Sequence, residues 1–485
     1  MRNPACGPVE GAAVGTAARF LGLPFALPPT GALRFAAPVR PAPWTRPRQA
    51  LTFGPTAAQP DRGVTLIPEP TQDGDDILNL NIFAPANLPD TPLPVLVYIH
   101  GGGYFGGCNR SEWFDGTTFV KKGVVFVAPN YRLSVEGFMP VAGAPDNRGL
   151  LDWIAALEWV QDNIAAFGGD PGRVTVAGQS AGAGAVATLM AAPAARGLFH
   201  RAVLFSGSIG FGGSMDRAKA FAQRFAKATG VAATATALAD MPKPALIAGY
   251  AAGMDDPSAT APAAGFVNTM ILGLPLQPLA GTESLPLAPH DAMTQGASAD
   301  IPVFVSVTRD EFVFEVDPHG KAITEAMVEE ALSRMGLDAA DQKAWRGLYP
   351  GYTASRLLGQ AVTDLVFRAP MLRLASLRKA RGAAPSWLAE YRWQSPVVLN
   401  GVMRAAHCLD MPFYFDKLAL PSAQRVLGRD APTALGAEMH AALVAFIHGE
   451  SPGWQDWARS GKVRLWDAPQ VTDSAEMDAL ARIFG

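Results

Sequence analysis

The chain contains 485 residues, of which 49% are hydrophobic and 17% are charged, and its formal net charge is −3. This composition allows a large buried core and excludes extensive disorder, and the lack of a basic cluster argues against nucleic acid as a partner. The chain has no run of eighteen apolar residues and no apolar leader segment. We therefore expect no membrane partner and a cytoplasmic location, unless a leader was removed.

The predicted secondary structure alternates between strands and helices. Residues 1–60 predict irregular structure with short edge strands, and helices with an apolar face are predicted at residues 150–166 and 437–447. Apolar and β-branched runs predict strands at residues 80–83, 95–99, 124–128, 174–177, 202–205, 301–307 and 387–391. Such alternation indicates an α/β fold with a mostly parallel sheet.

The domain organisation is predicted to be simple. The sequence contains no internal repeat and no low-complexity linker, so we expect a single catalytic domain over residues 1–485. Two long insertions, roughly residues 209–300 and 318–385, are expected to lie over one end of the sheet. The three cysteines have neither the spacing of a zinc site nor the even number of a disulfide framework.

Residues 174–184 carry the first sign of chemistry. A β-run leads into a G-x-S-x-G pattern centred on Ser180, with Gly178 and Gly182 on either side. A sharp strand-to-helix turn requires small neighbours and holds the serine hydroxyl above the sheet as a nucleophile. A second match at residues 449–453 is rejected, because no β-run precedes it and its proline has no N–H for an oxyanion.

A serine nucleophile also needs backbone N–H groups that stabilise the oxyanion. The predicted strand at residues 95–99 runs into His100 and three successive glycines, which let backbone N–H groups approach a substrate oxygen closely. We predict Gly102 and Gly103 as donors, together with Ala181 at the start of the next helix. A flexible glycine turn is the alternative, and His100 is expected to hold the loop by a hydrogen bond.

The acid and the base should follow the serine along the chain, in that order. Asp310 and Glu311 directly follow a predicted strand, and the residues alone do not decide between the two carboxylates. Three later histidines qualify as the base. His440 and His448 lie eight residues apart on a predicted helix or its end, whereas His407 lies in a loop that follows a strand. We favour His407, because loops at the carboxyl ends of strands carry such groups.

Seven further segments carry motifs that accompany the pattern around Ser180. They lie at residues 20–26, 33–35, 75–81, 130–133, 147–152, 167–171 and 199–208. Together these motifs run nearly from end to end, and the chain resembles the type-B carboxylesterase family, a group of esterases and lipases that includes the cholinesterases. The resemblance implies the α/β-hydrolase fold, with a central, mostly parallel sheet flanked by helices and with helical insertions over the active site.

The resemblance also implies the remaining catalytic residues. Glu311 is implied as the acid, because the family's acid follows an aspartate in the position of Asp310. His407 is implied as the base, because Asp410 and Pro412 stand where the family's histidine loop has an acidic residue and a proline. Ser180, Glu311 and His407 would then form the triad.

Two more residues are expected to support the triad. Ser206 aligns with a family serine near the triad and is expected to offer a hydrogen bond. Gln179 directly precedes the nucleophile, at a position where the family has glutamate or glutamine.

The substrate pocket is predicted from aromatic residues and from two departures from the family pattern. Tyr104 and Phe105 follow the glycine run, while Phe312 and Cys408 stand where the family usually has glycine. Bulk at these four positions predicts a reshaped, hydrophobic pocket. Core packing is an equally good explanation of the aromatic rings.

These residues predict a serine carboxylic-ester hydrolase that acts through an acyl-enzyme on small to medium, hydrophobic or bulky esters. We expect a small-molecule ester as the partner, no metal or organic cofactor, and a monomer or small homo-oligomer. A lipase or a specialised detoxifying esterase is the alternative, although the sequence shows no amphipathic lid. A non-catalytic binding relative is less favoured, since such relatives have broken triads.

Overall fold

The computed structural model describes residues 1–63, 65–207, 212–255, 273–312, 323–398, 400–467 and 475–484. The predicted starts of both insertions, residues 209 and 318, lie outside the described residues. Within the described residues, the strands β1 to β12 are Val9–Glu10, Ala12–Val14, Ala17–Pro24, Arg48–Gln49, Asn79–Pro85, Leu93–Ile99, Val125–Pro129, Gly169–Gln179, Arg201–Phe205, Val303–Thr308, Ser386–Tyr391 and Arg464–Trp466.

Ten of these strands form one sheet, in the order β12-β11-β10-β9-β8-β6-β7-β5-β3-β2. From β12 to β7 every neighbouring pair is parallel, whereas β7, β5, β3 and β2 pair in antiparallel fashion at the other edge. Strands β1 and β4 form a separate parallel pair. The mostly parallel sheet of the α/β-hydrolase fold is thus confirmed.

The helices surround this sheet. In the described residues, helices α1 to α17 are Thr117–Val120, Ser134–Phe138, Arg148–Asn163, Ala181–Ala191, Met215–Thr229, Ala235–Leu238, Lys243–Met254, Pro289–Thr294, Glu325–Arg334, Ala339–Arg346, Ala354–Val362, Ala369–Ala380, Met411–Tyr414, Pro421–Leu427, Thr433–His448, Trp457–Ser460 and Ala475–Phe484. Four 3₁₀ turns (Gly31–Leu33, Glu112–Phe114, Ile164–Phe167 and Pro193–Ala195) and a π-helical turn, Thr363–Arg368, complete the helical structure.

Both faces of the sheet are buried, and β6 shows this directly. Val97 and Ile99 belong to one hydrophobic cluster, which includes residues of α3 and α4, whereas Leu96 and Tyr98 belong to a second cluster with residues of α15. Side chains alternate between the two faces of a strand, so the two clusters lie on opposite sides of the sheet. Burial on both faces explains why the central strands read as continuous apolar runs.

All the predicted strands and both predicted helices are present, with shifted ends. Strand β12 was missed, because three residues at a sheet edge are too short to show a periodicity. Strand β8 begins at Gly169, five residues before the predicted start at 174, and β3 is an eight-residue buried strand rather than a short edge strand. In both cases pairing with a neighbouring strand outweighs local residue preference.

The turn between β8 and α4 depends on contact between backbones. A side chain at Gly178 would overlap the carbonyl group of Gly182, and a side chain at Gly182 would overlap the carbonyl oxygen of Ile99. Helix α4 therefore packs directly on the backbone of β6 and β8. This close approach places the loop after Ile99 beside Ser180.

A buried cluster of charges joins the last helix to the sheet. The guanidinium of Arg368, in the π-helical turn, is fully buried and contacts Asp364 at 2.7 Å, Glu390 at 2.7 Å and Glu476 at 2.8 Å. Burial alone would lower the pKa of Arg368, but these carboxylates outweigh it and raise the pKa well above its usual value. Glu476 also contacts Arg309 at 3.2 Å, just before the loop that carries the predicted acid.

The close packing of α4 predicts a strong effect of Gly182→Ala. Its new methyl group would meet the Ile99 carbonyl, a backbone atom that cannot move without disturbing the sheet. We expect the free energy of unfolding in urea to fall by about 3 kcal/mol or more. Gly172→Ala is the matched control, because its Cβ would come only as near as 3.2 Å to the Asp170 side chain. The control should change stability by less than about 0.5 kcal/mol, and equal losses in both variants would contradict the packing explanation.

Candidate active site

The carboxyl ends of four parallel strands bring the predicted site residues to one edge of the sheet. In the register of β6 and β8, Ile99 pairs with Gly178, and in the register of β8 and β9, Gln179 pairs with Phe205. Phe205 in turn pairs with Ser306 near the end of β10. Because these strands end together, the loops that follow them meet at the same edge, the usual site of chemistry in parallel sheets.

Ser180 occupies the strained turn that its neighbours predict. Its backbone has φ 57° and ψ −122°, a conformation that non-glycine residues rarely adopt. The Ser180 N–H donates to the carbonyl of Phe205 at 2.9 Å, which fixes the turn to β9. Within the described residues, the Ser180 hydroxyl makes no hydrogen bond, so its lone pairs are available to a substrate.

The predicted oxyanion donors lie next to this turn. A Cβ placed on Gly101 would come within 3.2 Å of Ser180 Cβ, so the glycine loop touches the nucleophile. None of the hydrogen bonds within the described residues uses the N–H of Gly102, Gly103 or Ala181. The structure therefore brings together three free backbone donors beside Ser180.

His100 holds the glycine loop. Its Nδ1–H donates to the carbonyl of Gly101 at 2.8 Å, and its ring stacks on Tyr131 with centroids 4.5 Å apart. The Tyr131 hydroxyl donates to the His100 carbonyl at 3.1 Å. Burial lowers the pKa of His100 to about 4, so the ring stays neutral at physiological pH. His100 thus has the structural place that was expected of it.

The structure joins His407 to Glu311. His407 Nδ1 lies 2.5 Å from Glu311 Oε2, and the Thr308 N–H donates to the other carboxylate oxygen at 2.7 Å. The backbone N–H of His407 also donates to the backbone carbonyl of Glu311 at 3.1 Å. Glu311 is fully buried and both of its oxygens accept hydrogen bonds, so it fixes the proton of His407 on Nδ1 and leaves Nε2 as an acceptor.

The competing residues of the sequence analysis lie elsewhere. Asp310 has its carboxylate 3.8 Å from Arg309 and makes no hydrogen bond to a histidine within the described residues. His440 is buried with Nδ1 2.8 Å from the Tyr414 carbonyl, and His448 is half-buried at the end of α15 with Nε2 2.9 Å from the Lys122 carbonyl. Among these candidates, Glu311 and His407 therefore form the one pair with the geometry of an acid that orients a base.

The electrostatics of His407 reflect opposing influences. Burial disfavours the imidazolium, but Cys408 and the Glu311 carboxylate outweigh burial and raise the pKa of His407 well above 6.5. Two aromatic rings cover the imidazole: Phe312 stacks on it at 5.2 Å between centroids, and Phe367 lies at 5.5 Å. The shielding by these rings strengthens the attraction between Glu311 and the charged form of His407.

Sequence reasoning missed Phe367 and underestimated Gln179. Phe367 lies in the π-helical turn, a local irregularity that residue patterns do not predict. Gln179 is buried, and its side-chain Nε2 lies 3.1 Å from His407 Nε2 and 3.2 Å from Cys408 Sγ. Its position next to the nucleophile was the only signal in the sequence.

The predicted pocket residues divide into two groups. Phe312 and Cys408 contact the His407 region as described, and Phe105 is half-buried beside the glycine loop, stacked on Tyr250 at 5.6 Å. Tyr104 differs, because its ring is buried at 5.0 Å from Phe138 and belongs to the core beneath α4. Tyr104 is therefore a core residue in the structure, and not the pocket residue that the sequence predicted.

Ser206 also departs from expectation. Its hydroxyl is buried and makes no hydrogen bond within the described residues, whereas its N–H donates to the Ser306 carbonyl at 2.7 Å. In the described contacts, Ser206 thus connects the backbone at the end of β9 to that of β10. The Ser206 backbone has φ 46°, and its N–H continues the pairing of the two strands beyond the end of β9.

A second carboxyl group lies close to the pair. Asp410 is fully buried three residues after His407, and neither of its oxygens has a hydrogen-bond partner within the described residues. Burial and the nearby Glu311 raise the pKa of Asp410 to about 7, although His407 opposes this rise. Of the two carboxyl groups, only Glu311 touches the imidazole.

Two further features describe the surroundings of the site. Among the described residues, no cluster of three His, Cys, Asp or Glu side chains has the arrangement of a metal site. No helix in the described parts of the chain combines the length and the apolar character needed to cross a membrane.

Known proteins and solved structures resemble this chain over most of its length. The model of the carboxylesterase family matches residues 2–466. The para-nitrobenzyl esterase of Bacillus subtilis (strain 168) is 33% identical over 432 residues, which cover 85% of this chain and 82% of that protein. The phenmedipham hydrolase of Pseudarthrobacter oxydans is 32% identical over 459 residues, which cover 90% and 88%. A solved structure of a thermophilic pNB esterase has a TM-score of 0.84 at 29% identity, over 99% of both chains.

The raised pKa of His407 predicts the pH dependence of ester hydrolysis. A base must be neutral to accept a proton, so the acidic limb of kcat/KM should lie above pH 6.5. Glu311→Gln removes the charge that favours the imidazolium, and the limb should move to lower pH while kcat falls about 10³- to 10⁴-fold. The measurement is kcat/KM between about pH 5 and 10 with a substrate that does not titrate.

Asp310→Asn is the matched control, since it removes the neighbouring carboxylate that does not touch His407. It should move the acidic limb much less than Glu311→Gln does. A limb at or below pH 6.5 in the wild type, or equal shifts in both variants, would show that Glu311 does not set the protonation of His407.

Proposed function

The chain belongs to the carboxylesterase family and is a serine carboxylic-ester hydrolase, and we propose that Ser180, His407 and Glu311 are its catalytic triad. The observation that carries this assignment is the 2.5 Å hydrogen bond from His407 Nδ1 to Glu311, at the same sheet edge as the strained Ser180 turn. A base oriented by a buried acid beside a strained serine is the arrangement that activates such a nucleophile.

The proposed reaction proceeds through an acyl-enzyme. Ser180 Oγ attacks the ester carbonyl and passes its proton to His407 Nε2, while Glu311 stabilises the imidazolium. His407 then gives the proton to the leaving alcohol. A water molecule, deprotonated by His407, attacks the acyl-enzyme, and the carboxylic acid leaves Ser180.

The developing oxyanion is proposed to be bound by the backbone N–H groups of Gly102, Gly103 and Ala181. These groups are free within the described residues and stand next to Ser180. Donors held in place by the fold need no reorganisation during the reaction, and the loss of one typically costs about 3 kcal/mol of transition-state stabilisation.

For the substrate, we propose small to medium esters with a bulky or aromatic group. Phe105 with Tyr250 lies beside the glycine loop, and Phe312 with Phe367 lies beside His407. These two aromatic pairs offer apolar surface next to the proposed site of reaction. The name of the para-nitrobenzyl esterase, a relative of 33% identity, points to the same class of ester.

We further propose that the predicted insertions form part of the pocket wall within a single catalytic domain. Tyr250 belongs to α7 in the first insertion, and Phe367 belongs to the second. The three cysteines are free, which suits a reducing compartment such as the cytoplasm, and we propose a monomer or a small homo-oligomer there.

The test is the hydrolysis of p-nitrophenyl esters from acetate to palmitate. We expect turnover on short and medium chains, and Ser180→Ala should lower kcat about 10⁶-fold, because no other group in the site replaces the nucleophile. The chain-length optimum would measure the size of the acyl pocket. Activation by an oil–water interface would favour a lipase instead.

Ser451→Ala is the matched control for Ser180→Ala. Ser451 is the central residue of the second G-x-S-x-G pattern, and it is exposed after α15 with its hydroxyl bonded to the Trp454 carbonyl. This variant should keep wild-type kcat. Full activity of Ser180→Ala, or inactivity of the wild type on every ester, would refute the proposed triad.

A further inference from the structure

The side chain of Gln179 connects the proposed base to Cys408. Gln179 is 1% exposed, and its amide nitrogen lies 3.1 Å from His407 Nε2 and 3.2 Å from Cys408 Sγ. The amide has two N–H bonds, so one can be directed at each neighbour. The same nitrogen thus touches the imidazole atom that must receive the serine proton.

The chemistry of His407 fixes the orientation of this amide. Glu311 holds the imidazole proton on Nδ1, so Nε2 of the neutral ring can only accept a hydrogen bond. The Gln179 N–H can donate to Nε2, whereas its carbonyl oxygen would face a lone pair. Within the described residues, no hydrogen bond joins Ser180 Oγ to His407, and Gln179 occupies Nε2 instead.

We propose that Cys408 is a positioning residue, whose thiol holds the Gln179 amide so that its N–H donates to His407 Nε2 and favours the neutral base. This role rests on the proposed function of His407. At the start of a turnover, the Ser180 hydroxyl takes the place of the amide on Nε2. After proton transfer, the same N–H opposes the imidazolium and favours delivery of the proton to the leaving alcohol.

The backbone of Cys408 has a conformation that is unfavourable for a residue with a side chain. Cys408 has φ 73°, in the left-handed region where glycine is favoured. The carboxylesterase family usually has glycine at this position. Glycine would adopt this conformation without strain but would offer no acceptor to Gln179. The side chain is 9% exposed, so Sγ is kept near the buried amide rather than in solvent.

The groups that face His407 allow the effect to be isolated. Glu311 comes from the loop after β10, while Cys408 and Asp410 belong to the histidine's own loop. Phe312 and Phe367 cover the ring without charge. Gln179 is thus a neutral group on Nε2, opposite the carboxylate on Nδ1.

Gln179→Glu reverses the proposed influence while it preserves the shape of the side chain. A carboxylate cannot donate to Nε2, and its charge favours the imidazolium. We therefore expect the acidic limb of kcat/KM to move up by about one pH unit or more. Glu311 and Asp410 keep their places in this variant, so the change of charge is confined to position 179.

The role of Cys408 is tested with a pair of variants that keep the same backbone strain. Cys408→Ala removes the acceptor for the Gln179 N–H, so the amide is held less firmly, and it also removes the direct influence of Cys408, which raises the pKa of His407. The acidic limb of this variant should therefore differ from that of Cys408→Ser, and the part that acts through Gln179 is measured against the Gln179→Glu background. Cys408→Ser keeps an acceptor at the same place, and its limb should stay within about 0.2 pH unit of the wild type. In the Gln179→Glu background only the direct influence of Cys408 on His407 remains, so the shift caused by Cys408→Ala should lie about 0.3–0.7 pH unit lower there than in the wild-type background.

The outcomes separate this proposal from the proposed function. Each variant is first checked for the wild-type thermal midpoint, and the pH profile is independent of the fraction of enzyme that is folded. A Ser180-dependent esterase in which Gln179→Glu leaves the limb unmoved would overturn the role of Gln179. Equal limbs for Cys408→Ala and Cys408→Ser, or additive shifts with Gln179→Glu, would overturn the role of Cys408. A wild type without esterase activity would instead refute the triad.

Discussion

The packing of α4 on the backbones of β6 and β8 is the constraint on which the site depends. No side chain separates the helix from the sheet at Gly178 and Gly182, so the helix start is held within van der Waals distance of the Ile99 carbonyl. That distance decides how near the glycine loop comes to Ser180. Had either position carried a side chain, the loop and the nucleophile would be pushed apart, and free N–H groups would no longer surround the serine hydroxyl.

The base is held by contacts of a different kind. His407 lies in a loop without regular structure, yet its ring is fixed by Glu311 on one nitrogen, by Gln179 on the other and by Phe312 on its face. These partners come from two distant parts of the chain, the end of β8 and the loop after β10. The His407 ring is therefore held in a fixed position although its loop is irregular, because the residues that contact the ring are positioned by the sheet.

Much of this arrangement could be predicted from the sequence, and the missing parts have physical causes. The strands and the strained turn at Ser180 can be predicted from local sequence, because apolar runs indicate the strands and the glycines that flank the serine indicate the turn. Residue types alone did not separate Asp310 from Glu311, because both follow β10 and only the direction of each side chain decides. Tyr104 was misplaced for the same reason, since its ring points beneath α4. Phe367 lies in a π-helical turn that also carries Arg368, whose buried ion pairs reach residues far apart in the chain.

Four of the ten non-glycine residues with positive φ in the described parts of the chain lie at or near the site, and they bear on how such a protein can evolve. Tyr104, Ser180, Ser206 and Cys408 have φ between 46° and 73°. Each such residue costs about 1 kcal/mol or more, which the rest of the fold must offset. Replacement by glycine would relieve that strain, but it would also delete the hydroxyl or thiol that the position presents. At Ser180, selection for heat resistance alone would therefore favour the glycine that selection for ester hydrolysis must forbid.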